Sequence, residues 1–169
     1  MKQEIIQIIT AGIGTLGFSI YFRVSKRNVV ASTLGGSLGW IVYLIIFHTF
    51  NSLFFANFIA AFVVYVYSEI MARVLKSPVN IFLVTGIIPL IPGGSLYYTM
   101  AALLEKDGEM FKSKGVDTAL VTVGLAVGIV VSAIISRTIV SKIEEKRQTK
   151  KIVDTNYEIK NRNYRLWTL

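Results

Sequence analysis

The sequence predicts an all-α integral membrane protein, a bundle of about five transmembrane helices with the fourth broken between Pro89 and Gly94. Three observations carry this. The 169 residues are 53% hydrophobic and only 17% charged, against about 25% charged in ordinary soluble chains. The charges are segregated: no Asp, Glu, Lys or Arg falls in residues 5–22, 28–68, 77–104 or 118–136. Finally, the uncharged stretch 77–104 holds all 3 of the chain's prolines, two of them, Pro89 and Pro92, beside a glycine pair.

A helix needs roughly 20 apolar residues to cross a bilayer core of about 30 Å. The stretch 28–68 is 41 residues long, enough for two arms. The predicted spans are therefore about 5–22, 29–50, 53–75, 79–104 and 118–140, forming a membrane domain over residues 1–140 with a basic tail at 141–169. Backbone in lipid must satisfy its own hydrogen bonds, which leaves helices or closed barrels. No alternating barrel pattern occurs.

The first span could be mistaken for a signal peptide. Glu4 weakens the basic leader, no convincing small-residue cleavage site follows, and Arg23, Lys26 and Arg27 come after the apolar run, so a retained helix is expected. Asn51-Ser52 makes the turn of a helical hairpin, Arg73 and Lys76 mark the next connection, and Pro78 opens the fourth span. A loop over Glu105–Asp117, with three Lys against four acids, leads to the fifth span. Lys142, Lys146, Arg147, Lys150 and Lys151 follow in the tail. The basic connections alternate in one sense: N-terminus outside, C-terminus cytoplasmic. The net charge of +8 is thus a topology signal, and nucleic-acid binding is not expected. The tail is expected to extend the last helix by two or three turns, with a weak Glu144–Arg147 pair, and to be poorly ordered beyond Asp154. Tyr157, Tyr164 and Trp167 are its possible anchors to lipid or a partner; a solvated topological anchor is the plainer reading.

Gly12-Ile13-Gly14-Thr15-Leu16-Gly17 matches the dinucleotide fingerprint in form, but it lies inside an apolar span and residues 28–68 contain no acid. Such a fingerprint needs a strand before it and an acid about 20 residues on, so no cofactor is expected. A helix-packing groove fits better, as it does for Gly35-x-x-x-Gly39 and Gly124-x-x-x-Gly128. The absence of cysteine removes disulfides and thiolate chemistry. The single His48 has no His or Cys partner for a metal and fits an interfacial role among Tyr43, Phe47 and Phe50. No paired carboxylates within a span, Ser/His pair or Walker-type loop suggests an enzyme or a nucleotide motor.

Glu69 and Arg73 form an i,i+4 pair near the basic end of the third span, at roughly 24 and 30 Å along it from Leu53. They read either as a gate or coupling pair or as an interfacial salt bridge that ends the span.

The richest segment is Thr85-Gly86-Ile87-Ile88-Pro89-Leu90-Ile91-Pro92-Gly93-Gly94-Ser95. It sits at the centre of a span that would be roughly 39 Å long if straight. Pro89 and Pro92 cannot donate to the carbonyls of Thr85 and Ile88, Gly93-Gly94 does not resist unwinding, and Ser95 suits an N-cap for a second half-helix through Tyr97, Tyr98 and Met100. Irregular backbone at that depth is tolerated beside a cavity or inside protein. The half-helix N-terminus then offers N–H groups and partial positive charge to an anion such as a carboxylate. The predicted substrate site is Pro89, Pro92, Gly93, Gly94, Ser95 and Tyr98; a plain proline kink is the alternative.

On these residues the chain resembles the threonine/serine exporter family, specifically its small five-helix members that match the C-terminal half of the fused exporters. The resemblance covers about residues 8–140. It rests on Leu16-Gly17-Phe18 with Phe22, on Gly35-Gly36 with Gly39, and above all on Ser77-Pro78-Val79 followed by Ile87-Ile88-Pro89-Leu90-Ile91-Pro92-Gly93-Gly94 and Tyr97 or Tyr98. It implies one subunit of a two-part secondary exporter in a bacterial inner membrane, working with a second five-helix subunit. Threonine, serine or a dicarboxylate such as succinate would be its cargo. A non-transporting membrane scaffold or assembly subunit is the alternative.

Overall fold

The computed structural model describes the backbone of residues 2–167 and the side chains of residues 2–138. Every regular element among them is helical: α1 Lys2–Tyr21, α2 Lys26–Phe50, α3 Leu53–Leu75, α4 Val79–Ile87, a 3-10 turn Ile88–Leu90, α5 Gly93–Glu105 and α6 Gly108–Trp167. Four of these, α1, α2, α3 and the Gly108–Thr138 stretch of α6, are long and apolar enough to cross a membrane, and α4 with α5 makes a fifth span bent by 50° at its break. The protein is a helical membrane protein with its fourth span broken where the prolines lie.

The chain forms two compact units, Met1–Ala133 and Ile134–Leu169. The second unit is helical to Trp167, past the two or three turns expected of the tail. Glu144, Arg147, Tyr157, Tyr164 and Trp167 lie outside the described side chains.

The connections at 22–25 and 106–107 are shorter than the sequence suggested, and helix ends are closed by non-glycine residues in the left-handed conformation. Arg23, Lys76 and Lys106 have φ of 54°, 50° and 59°. Each is followed by an amide bonded to the carbonyl five residues earlier: Val24 N to Ser19 O at 2.9 Å, Ser77 N to Ala72 O at 3.0 Å, and Asp107 N to Ala102 O at 2.9 Å. This is the C-terminal motif that usually takes glycine. A basic residue costs about 1–2 kcal/mol in that conformation but sets its charge against the negative end of the helix dipole. The predicted loop Glu105–Asp117 is therefore only a reversal at Lys106 and Asp107. Asp107 Oδ1 accepts the Met110 N–H at 2.9 Å, capping α6 and starting it ten residues before Thr118.

Helix α2 is the hub and touches α1, α3, α4 and the 3-10 turn. It can do so because its inner face is small: Ala31, Ser32, Gly35, Gly36 and Gly39 are all buried. On α3, Ala56, Ala60 and Val64 are fully buried, and Ala60 and Val64 with Ala61, Leu90, Val121 and Leu125 build the main apolar core. A second cluster, Ala31, Ala72 and Phe82, lies toward the other end of the helices. The outer surfaces are large and apolar, including Ile5, Ile9, Ile13 and Ile20 on α1, as lipid contact requires. At the α1 N-terminus, His48 Nε2 is 3.3 Å from Glu4 Oε1, tying the first turn of α1 to the last turn of α2.

Candidate functional site

The break in the fourth span is built from what two prolines forbid. Helix α4 ends at Ile87, the chain tightens to the 3-10 turn, and Ile91 swings out to ψ 133°. Its amide still bonds Ile88 O at 3.2 Å, and Gly93 N turns back on Ile91 O at 2.7 Å. Pro92, not Ser95, is the N-cap of α5, and no side chain caps that helix. The first helical bond is Leu96 N to Pro92 O at 2.9 Å. Gly94 and Ser95 thus sit in the first turn, where helical N–H groups have no helical acceptor. Neither glycine has positive φ, so they are present for space and not for unusual backbone angles.

Beside this turn lies a cavity of about 200 Å³, below the roughly 300–1,000 Å³ of pockets for drug-sized ligands and suited to a small metabolite. One wall is the break itself: Pro89, Leu90, Ile91, Pro92, Gly94 and Ser95. The facing wall comes from Trp40 and Tyr43 of α2, Leu53 and Asn57 of α3, and Val121 of α6. The Trp40 and Tyr43 rings pack at 5.0 Å between centroids, which fixes the aromatic side. Asn57 is 2% exposed and its Nδ2 donates to Leu53 O at 2.8 Å. Trp40 Nε1 is buried and makes no hydrogen bond.

No charged side chain lines this cavity. An anion there would be held by dipoles: the first-turn N–H groups of α5, the indole N–H and the half-helix field. Of the residues predicted from sequence, Pro89, Pro92, Gly94 and Ser95 line the cavity, while Gly93 and Tyr98 are not part of its wall. Tyr98 is half exposed and packs edge-on against Tyr97 at 5.5 Å. Sequence reasoning missed the facing wall of Trp40, Tyr43, Leu53, Asn57 and Val121. Asn57 could have been flagged as an amide inside an uncharged span, since polar groups there tend to face the interior; Val121 carries no such signal.

Glu69 and Arg73 lie apart from the cavity wall. Arg73 Nη2 is 2.6 Å from Glu69 Oε2, Arg73 Nη1 donates to Glu69 O at 2.9 Å, and Tyr65 Oη donates to Glu69 Oε1 at 3.2 Å. Both carboxylate oxygens are engaged on one helix face, with the Arg73 side chain 54% exposed and that of Glu69 17%. Among the described residues no group of three His, Cys, Asp or Glu could hold a metal.

A family model described as "Threonine/Serine exporter, ThrE" matches residues 7–135, well over half of the chain. No solved structure matches it.

Proposed function

Since this chain belongs to the threonine/serine exporter family, and is thereby a multi-pass membrane exporter, we propose that it is one subunit of a two-part secondary exporter of small carboxylates. The carrying observation is the cavity at the break, uncharged, about 200 Å³ in volume and floored by the first turn of α5. Threonine, serine and succinate share the carboxylate that such a turn recognises. Neutral dipoles hold a carboxylate without a fixed counter-charge, and a transporter must also release what it binds. The basic connections support an N-terminus outside and a C-terminus in the cytoplasm of a bacterial inner membrane. The second five-helix subunit would cover the open side of α5, where Tyr97, Tyr98 and Leu104 are exposed. Glu69 and Arg73, joined on α3, are the proposed gate or coupling pair.

The test is flux of labelled threonine, serine and succinate in sealed vesicles holding the chain together with its partner subunit. Saturable flux of at least one of them is expected, with competition by carboxylates and none by the matching amides or alcohols. Equal competition by the amides would remove the carboxylate site, and absence of flux for all three would remove the proposed cargo.

A further inference from the structure

Among the described residues, three buried side-chain polar atoms have no hydrogen-bond partner: Asn28 Oδ1, Ser32 Oγ and Trp40 Nε1. All three are on α2, and their numbers differ by 4 and 8. With Gly36 they form a single i+4 ridge, 28–32–36–40, rising about 18 Å along the helix. The upper end, Trp40, is in the cavity wall. The lower end, Asn28, is in the first turn of α2 beside the basic connections.

The ridge differs from the other buried hydroxyls of the bundle. Ser19, Ser68 and Ser132 are equally buried, and each hydroxyl donates to the carbonyl four residues back at 2.7–2.8 Å. Ser32, fully buried, makes no such bond. Asn28 is held with its oxygen free. Its Nδ2 donates to Ser77 Oγ at 2.8 Å, and Ser77 Oγ donates in turn to Leu75 O at 3.2 Å. The Ser77 oxygen can therefore only accept from Asn28, which assigns the amide and leaves Oδ1 unpaired. A buried acceptor, a hydroxyl and a buried donor left open in one row are what ordered water satisfies. Arg23, Lys26, Arg27 and Lys76 gather at that end, which disfavours a metal cation in the same place.

We propose that the 28–32–36–40 ridge of α2 is the wall of a water-filled passage from the cavity toward the basic end of the bundle. In this conformation it is closed where Thr15 of α1 seats on Gly36. A Cβ at Gly36 would overlap Thr15 Oγ1, Cβ and Cγ2 together, so α1 packs directly on the α2 backbone there, between Ser32 and Trp40. Below the contact, water satisfies the unpartnered Asn28 Oδ1 and Ser32 Oγ. Displacement of α1 at Thr15 joins that water to the cavity. The cargo of this passage rests on the exporter reading; its hydration does not.

The chain contains no cysteine, so single thiols can be placed in it directly. Ser32→Cys, Ser68→Cys and Ser132→Cys start from serines of equal burial and are near-isosteric. Each is reconstituted with the partner subunit and exposed to a small water-soluble thiol reagent. Thiols in sealed apolar packing are inert and hydrated ones react, so Ser32→Cys is expected to label at least about tenfold faster than the other two. Thr15→Ala, which trims two of the three atoms on Gly36, should raise the Ser32→Cys rate further and leave Ser132→Cys unchanged. Equal rates at the three thiols would overturn the passage, and so would a Ser32→Cys rate indifferent to Thr15→Ala. Flux of threonine, serine and succinate is scored separately, so loss of the exporter reading leaves the passage judged on labelling alone.

Discussion

The glycines of the bundle seams and the glycines of the break are the same residue used in opposite ways. At Gly124 and Gly128 on α6, an added Cβ would lie 2.7 Å from Phe54 O and 2.5 Å from Phe58 O, backbone atoms of α3. At Gly39 it would lie 2.6 Å from Val64 Cγ2, and at Gly35 2.9 Å from Tyr67 Cε1. At Gly93 and Gly94 it would meet nothing within 4 Å. The seam glycines let two helices touch, and in lipid such contact is what drives association. Of the break glycines, Gly94 lines the cavity and leaves space open beside first-turn N–H groups that have no helical acceptor. A substitution at a seam should thus be felt in folding, and one at the break in transport.

The sharpest way to break this contrast is Gly128→Ala. Its obstacle is a backbone carbonyl, which cannot rotate aside, and overpacking of this kind costs typically about 1–3 kcal/mol or more. The variant should lose most of its folded material in mild detergent, as measured by size-exclusion recovery. Near-normal recovery would mean that α6 does not pack on α3 as described. Gly35→Ala is the next step down. Its neighbour is a side chain, but Tyr67 Oη donates to Ala31 O at 2.7 Å, so the ring is tethered and can yield only by releasing that bond. We expect a loss of about 1–2 kcal/mol, read as a lower unfolding midpoint with the fold retained. Tyr67→Phe in the same background should recover part of the loss, since it frees the ring to move.

Gly94→Val tests the other side. The space around it is open and its φ is not positive, so the fold should survive; the helix-propensity penalty of a valine is within about 1 kcal/mol. The branched side chain covers the first-turn N–H groups from the cavity. Flux per folded complex should fall to background while the amount of folded complex holds. Flux lost only in proportion to folded protein would make this glycine a packing residue like Gly128.

Much of this was legible in sequence, for definable reasons. The spans were, because lipid tolerates no scattered charge and residues 28–68 carry none. The break was, because Pro89 and Pro92 remove two hydrogen-bond donors whatever surrounds them. Local chemistry was less readable where two residues compete for one role. Ser95 looked like the cap, but Pro92, with φ −76°, enters the helix three residues earlier. Lys106 and Asp107 replaced a long loop because a non-glycine residue took the left-handed position. The glycines failed as a class: a Cβ added at Gly12 would lie 2.6 Å from Ser37 Oγ, while one added at Gly14 or Gly17 in the same motif would meet nothing within 4 Å. Spacing alone does not say which face of α1 is turned to α2. The far wall of the cavity was beyond reach because Trp40, Asn57 and Val121 come together only through tertiary packing.

The smallest expected effect is also the one that separates side chain from backbone at the break. Ser95 looks like a helix cap in sequence, and losing a cap typically costs about 1 kcal/mol. In the structure it makes no capping bond, because Pro92 occupies the cap and Ser95 already lies inside the first turn. Ser95→Ala should therefore change the unfolding free energy by no more than about 0.5 kcal/mol. Its hydroxyl lines the cavity, yet its N–H is untouched by the substitution. If the carboxylate is held by backbone groups, flux in Ser95→Ala should stay within a few fold of the parent, far above Gly94→Val, although the two positions are adjacent. Thermal unfolding and flux on the same preparation decide it. A stability loss near 1 kcal/mol would return Ser95 to the cap position. Flux as low as in Gly94→Val would move recognition from the α5 backbone to the Ser95 hydroxyl.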